Sequence, residues 1–130
     1  MAAQLRVAHR AKTLPKPEAD RVEKVARQFD AEGRLLRWPS RQSIAELCLW
    51  VLWLRIPKDE VLNERQISKL LDRWHVFGDH ALLRRALYDF RFVDRTVDGR
   101  EYRRLDRTPP KELAALMKVI GVSGQPLLPT

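Results

Sequence analysis

A mainly α-helical domain with one small antiparallel β-ribbon, an α+β fold, is what this sequence predicts. Three observations predict it. Apolar residues recur at i, i+3, i+4 and i+7 in four separate stretches, the period of an amphipathic helix. Two short arginine-bearing segments are joined by Asp98-Gly99, a dipeptide that suits a type I′ hairpin turn. A tight Phe77-Gly78-Asp79 connection places two of the helices directly before that hairpin.

The chain has 130 residues, enough for one domain with a real core. Apolar residues make up 45% of it, which excludes wholesale disorder. With 25 Lys and Arg against 17 Asp and Glu, the net charge is +8, a balance that favours polyanionic partners. Half of that excess lies in residues 1–28, which hold seven basic and three acidic groups. Residues 79–107 hold eight basic and six acidic groups, so any binding role there must rest on geometry.

Residues 1–16 show no periodicity and contain Arg6, Arg10, Lys12 and Lys16, which read as a flexible basic arm. A single domain over residues 17–121 follows, and residues 122–130 read as a frayed tail. Pro17 suits a first helical position, with Glu18, Asp20 and Glu23 near the positive helix start. Val22, Val25, Ala26 and Phe29 form its apolar stripe, and Asp30 to Gly33 turns the chain. Leu35-Leu36-Arg37-Trp38 reads as a short strand stopped by Pro39.

The next helix begins at Ser40 or at Ser43, where Ser43 to Glu46 fits a capping box. It is apolar nearly all round, from Ile44 through Trp50 and Trp53, which places it in the middle of the core. Cys48 sits inside this run as a small buried apolar residue. Pro57 ends the helix. Asn63 caps the third helix with Gln66 three residues on and Leu62 placed to staple Ile67. Its stripe is Ile67, Leu70, Leu71 and Trp74. Asp79 caps a fourth helix that buries Leu83, Ala86, Leu87 and Phe90 and turns His80, Arg84, Arg85 and Tyr88 outward.

Strands over 92–97 and 100–105 follow, in a register that sets Asp94 opposite Arg103, Arg95 opposite Tyr102 and Phe92 opposite Leu105. Thr108 and Pro109 open a last helix lined by Leu113, Leu116, Met117 and Ile120 and closed by Gly121.

Helix, turn, helix and ribbon in that order make a winged helix-turn-helix core, flanked here by N- and C-terminal helices. The second helix of such a pair fits the major groove of DNA. The expected interface is therefore His80, Arg84, Arg85 and Tyr88 on helix 80–90, with Arg91, Arg95, Arg100 and Arg103 on the ribbon 92–105 as wing. The basic arm adds sequence-independent attraction. The expected partner is double-stranded DNA, and the expected role a transcriptional regulator or accessory factor.

The segments Phe29 to Leu35, Trp38-Pro39, Phe77-Gly78-Asp79 with Leu82 to Leu87, and Asp94 to Tyr102 resemble a bacterial domain-of-unknown-function family. Its members occur as small standalone proteins and fused to helix-turn-helix domains of transcriptional regulators. The resemblance implies nucleic-acid binding, which has been proposed for the family. The Leu-Arg-Arg-x-Leu helix and Asp-Gly-x-x-Tyr ribbon also look like the reading unit of small metal-responsive repressors. The cysteine and histidine ligands of those sensors are missing, so metal sensing is not carried over.

No catalytic constellation assembles. His9, His75, His80 and the lone Cys48 have no zinc spacing, and the five glycines form no phosphate-binding loop. The expectation is a non-enzymatic protein without cofactor, metal or small-molecule substrate. One cysteine and an N-terminus without a long apolar segment point to the cytoplasm and to no membrane association. The alternative function is a protein-interaction module that docks on the transcription machinery or pairs with itself through helix 109–120.

Overall fold

The computed structural model describes residues 14–121, so Arg6, Arg10 and Lys12 of the arm and the tail 122–130 lie outside it. Five helices and three strands follow in the order α1 (Lys16–Ala26), α2 (Gln42–Leu54), β1 (Val61–Asn63), α3 (Glu64–Arg73), α4 (His80–Asp89), β2 (Val93–Arg95), β3 (Glu101–Arg104) and α5 (Lys111–Gly121). None of these helices is long and apolar enough to cross a membrane.

The apolar sequence of α2 decides the architecture. Nine of its residues are buried, among them Leu49, Val51 and Leu52 with no exposure at all, so it must be wrapped on every side. The helices α1 and α5 pack on each other and on α2, while α3, α4 and the sheet close the remainder of the core. Trp50 packs edge-on against Trp53 and Phe92 at centroid distances of 5.1 and 4.8 Å, tying α2 to the start of the ribbon. Cys48 is fully buried, and burial pushes its thiol up to about 12, a thiol inert at neutral pH.

The sheet holds a strand that the sequence pattern does not announce. Its order is β1-β3-β2, antiparallel throughout, with Leu62 opposite Tyr102 and Val61 opposite Arg103. Only Leu62 of β1 points inward, and a single apolar residue cannot show a period of two. Helix α2, β1, α3, α4 and the β2–β3 hairpin together make a winged helix-turn-helix core with flanking helices α1 and α5. The hairpin register is as expected, Asp94 opposite Arg103 and Arg95 opposite Tyr102, and the Leu105 N–H donates to the Phe92 carbonyl at 3.0 Å.

Several local expectations are corrected. Lys16 is the first residue of α1 rather than part of an arm, and its ammonium lies 3.1 Å from Asp20. Helix α1 ends at Ala26, and Phe29 reaches the core from the turn beyond it. Residues 35–38 form no strand; Leu35 makes two isolated bridges, to Phe29 and to His75. The Ser43 capping box is absent, because Ser43 already lies inside α2 and Arg41 occupies the cap position without a side-chain bond.

The wing turn is not type I′, since Gly99 has a positive φ of 72° and Asp98 does not. Side chains close it instead. Thr96 Oγ1 donates to Asp98 at 2.6 Å and accepts the N–H groups of Arg100 and Glu101, which lets a longer loop hold the same register. Helix α5 begins at Lys111, two residues after the expected Pro109. Its stripe Leu113, Leu116, Met117 and Ile120 is buried in the chain's own core, so it offers no face for pairing two chains.

Candidate nucleic-acid interface

The turn between α3 and α4 is built around a buried histidine. His75 Nδ1 lies 2.7 Å from the Leu71 carbonyl, and the Asp79 N–H donates to His75 Nε2 at 2.8 Å. Those partners require the neutral ring with its proton on Nδ1. One imidazole thereby joins the last turn of α3 to the cap of α4. The Asp79 carboxylate then accepts the Leu82 N–H at 3.1 Å, and Gly78 (φ 70°) makes the reversal. The loop before α2 lies along the same turn, with the Leu35 N–H donating to the Trp74 carbonyl and the Val76 N–H to the Leu35 carbonyl.

Helix α4 ends in a Schellman motif. The Phe92 N–H donates to the Leu87 carbonyl and the Arg91 N–H to the Tyr88 carbonyl, with Arg91 in the left-handed region at φ 65°. A helix end that commonly needs glycine here carries an arginine, and the chain passes directly into β2 with the Arg91 side chain exposed.

Of the four α4 residues expected to face outward, two turn aside. Arg84 is only 18% exposed; it donates to Ser68 Oγ at 2.7 Å and pairs with Glu64 at 3.3 Å, clamping α4 to α3. His80 Nδ1 lies 3.0 Å from Asp72, also on α3. The reason is helical geometry: positions 80 and 84 are one turn apart on the flank beside α3, whereas 81, 85 and 88 share the next flank. That spacing was present in the sequence as a signal.

Arg85 and Tyr88 remain toward solvent with Ala81 and Asp89. Arg95 joins them from the ribbon, its guanidinium 4.4 Å from the Tyr88 ring centroid. Arg85, Tyr88, Asp89, Arg95 and Tyr102 line an open cleft of about 300 Å³ between α4 and the wing, and Arg84 and Ala81 also border it, although the Arg84 guanidinium is held by Ser68 and Glu64.

The other ribbon arginines lie elsewhere. Arg103 stands in the row with Val61 and Asp94, on the sheet face opposite the row of Leu62, Tyr102 and Arg95. Arg100 sits at the wing tip, 3.7 Å from Asp98, whose carboxyl is held below its usual range by the Thr96 hydroxyl and the Arg100 N–H. Val97 beside it is fully exposed. The cations Arg85, Arg91 and Arg103 have no ion-pair partner in the structure among the described residues.

Other arginines, not counted with the site, hold the core. Arg104 donates to the Trp53 and Ile56 carbonyls at 3.2 and 3.1 Å and lies over the Trp53 ring. Arg107 donates to the Phe90 carbonyl and lies over Trp50 and Phe92. The family described as uncharacterized protein conserved in bacteria (DUF2087) matches residues 34–104. The chain belongs to the DUF2087 family. The DUF2087 span runs from the loop before α2 through β3, so it takes in α4, the wing and the histidine turn and leaves out α1 and α5. No curated protein and no solved structure matches the chain.

Proposed function

We propose that this DUF2087 protein binds double-stranded DNA as a transcriptional regulator or accessory factor, with α4 in the major groove and the β2–β3 hairpin as wing. The observation that carries the reading is the cleft between α4 and the wing, where Arg85, Tyr88 and Arg95 converge on the solvent side. An α-helix fits the major groove, and arginine reads a guanine edge or holds a phosphate. Arg91 at the end of α4 and Arg100 at the wing tip flank that cleft and would reach the backbone on either side. Arg84 and His80 do not read bases in this proposal; they set the angle of α4 on α3. Asp89 on the same outward face repels phosphate and accepts a cytosine amino group, so it favours sequence selection over general affinity.

The test is fluorescence anisotropy with a mixed-sequence duplex across a salt series, using the full chain, a chain of residues 14–130 that keeps α1 whole, and Arg85→Ala with Arg95→Ala. The expected result is affinity that falls steeply with salt, survives removal of the arm, and drops at least ~tenfold in the double variant. A folded double variant with unchanged affinity, or binding that vanishes with the arm alone, overturns the proposal.

A further inference from the structure

A second basic surface lies at the other end of the molecule. The base of the wing sits at the C-terminal end of α2, where Arg104 holds the Trp53 and Ile56 carbonyls. At the N-terminal end of the same helix, 13 residues or about 20 Å away, an open cleft of about 380 Å³ runs between α1, the loop before α2 and the first turn of α2. Its floor is apolar: Trp38 is half-buried, and Pro39 and Ile44 are buried. Its rim carries Lys24, Arg27, Arg37 and Arg41, all exposed, and no acidic residue lines it among the described residues. The nearest carboxylate partner is Glu23, 3.8 Å from Arg27 with both side chains largely in water. Gln28 accepts from Arg37 at 2.9 Å, which fixes that guanidinium at the rim without neutralising it. No acidic residue stands in the first turn of α2 either.

Structural need explains little of this. Lys24 and Arg27 suit the negative end of α1, but Arg41 stands at the positive end of α2, where a cation is disfavoured. Residues 1–13 and 122–130 contain no acidic side chain and so carry no charge complement to the cleft's rim. A duplex presents no apolar knob for such a floor, and one tryptophan is not the run of stacking platforms that a single strand uses.

We propose that this cleft docks a segment of a partner protein in which carboxylate side chains surround one apolar residue. The apolar residue sits on Trp38 and Ile44, and the carboxylates meet Lys24, Arg27, Arg37 and Arg41. This surface is independent of α4 and the wing, so the proposal stands or falls apart from DNA binding. Lys24, Arg27 and Gln28, at and just beyond the end of α1, lie outside the DUF2087 span.

The probe is a fluorescein-labelled peptide of glutamate and aspartate around a single leucine, followed by anisotropy at low salt. Comparison peptides replace the acids by their amides, or the leucine by alanine. The full chain is expected to prefer the acidic leucine peptide by at least ~fivefold over either comparison. Arg37→Glu with Arg41→Glu, folded by circular dichroism, is expected to weaken that peptide at least ~tenfold. Trp38→Ala is expected to remove the preference for leucine over alanine, whereas Arg85→Ala with Arg95→Ala leaves all three affinities unchanged. Equal binding by the charge-reversed protein overturns the proposal, as does indifference to the central leucine. So does loss of duplex DNA affinity in the charge-reversed protein without any peptide binding, which would make the cleft a nucleic-acid contact.

Discussion

Two regions of this protein are rich in arginine, and they use it in opposite ways. At the C-terminal end of α2, Arg55, Arg104 and Arg107 turn into the protein, donate to backbone carbonyls and lie against tryptophan rings. On α4 and the wing, Arg85, Arg91 and, on the other face of the ribbon, Arg103 extend into solvent without ion-pair partners among the described residues. Residue type does not distinguish the two regions. What distinguishes them is whether a carbonyl without a helical partner lies within reach. A helix end or a tight turn supplies such carbonyls, and guanidinium, with five donors and a flat apolar face, satisfies them while packing on an aromatic ring.

Arg55 is the extreme case. It is 2% exposed, donates to the Gly33 carbonyl and lies 3.8 Å from the Trp74 ring centroid. Burial lowers its guanidinium to about 10, while the Asp30 charge works to raise it. Its Nε finds no partner among the described residues. The Gly33 turn is shaped around it: φ is +80°, and a Cβ there would meet Arg55 Nη2 at 2.8 Å. Arg55 thus latches the loop before α2 onto the helix-turn-helix unit.

The largest expected effect breaks that latch. Arg55→Ala leaves the Gly33 carbonyl and the Trp74 face without partners and is expected to cost about 3 kcal/mol, read as a lower urea midpoint at unchanged slope. Arg104→Ala is expected to cost about 1–2 kcal/mol in the same measurement, because Arg104 is half-buried where Arg55 is fully buried. By contrast, Arg85→Ala with Arg95→Ala is expected to shift stability by less than about 0.5 kcal/mol while reducing duplex affinity. If that pair destabilised the fold as Arg104→Ala does, the two regions would not differ in kind.

The smallest effect is a pH dependence beside the latch. Asp30 loses some hydration, which raises its carboxyl. The Arg34 N–H, the Arg34 guanidinium 2.8 Å away and the Glu32 N–H outweigh that and hold it below the usual range. A carboxyl lower in the folded than in the unfolded state contributes stability above its unfolded value, about pH 4, and loses it as pH falls through the folded value. Asp30→Asn is therefore expected to lower the stability plateau at neutral pH and to converge with the parent protein in acid, which flattens the acid limb of the stability curve.

Much of the candidate site was legible before any coordinates. The Asn63 and Asp79 caps, the hairpin register and the apolar stripes of α3 and α4 all follow from short-range spacing. Arg85, Tyr88 and Arg95 were among the expected contacts and do converge. Arg84 and His80 were separable from Arg85 only by helical phase, since residue type alone does not tell a cation beside a neighbouring helix from one beside solvent. The roles of Arg55, Arg104 and Arg107 carried no local signal, because their hydrogen-bond partners lie 16 to 51 positions away.

By itself, then, the sequence determined the helix-turn-helix and hairpin, because caps, turns and apolar periodicity act within a few residues of each other. Tertiary structure alone decided the third strand β1, the burial of the α5 stripe and the division of the arginines into those that hold carbonyls and those that face solvent. Each of these depends on contacts between segments distant in the chain, and a charged side chain takes its function from whichever partner the fold brings within about 3 Å.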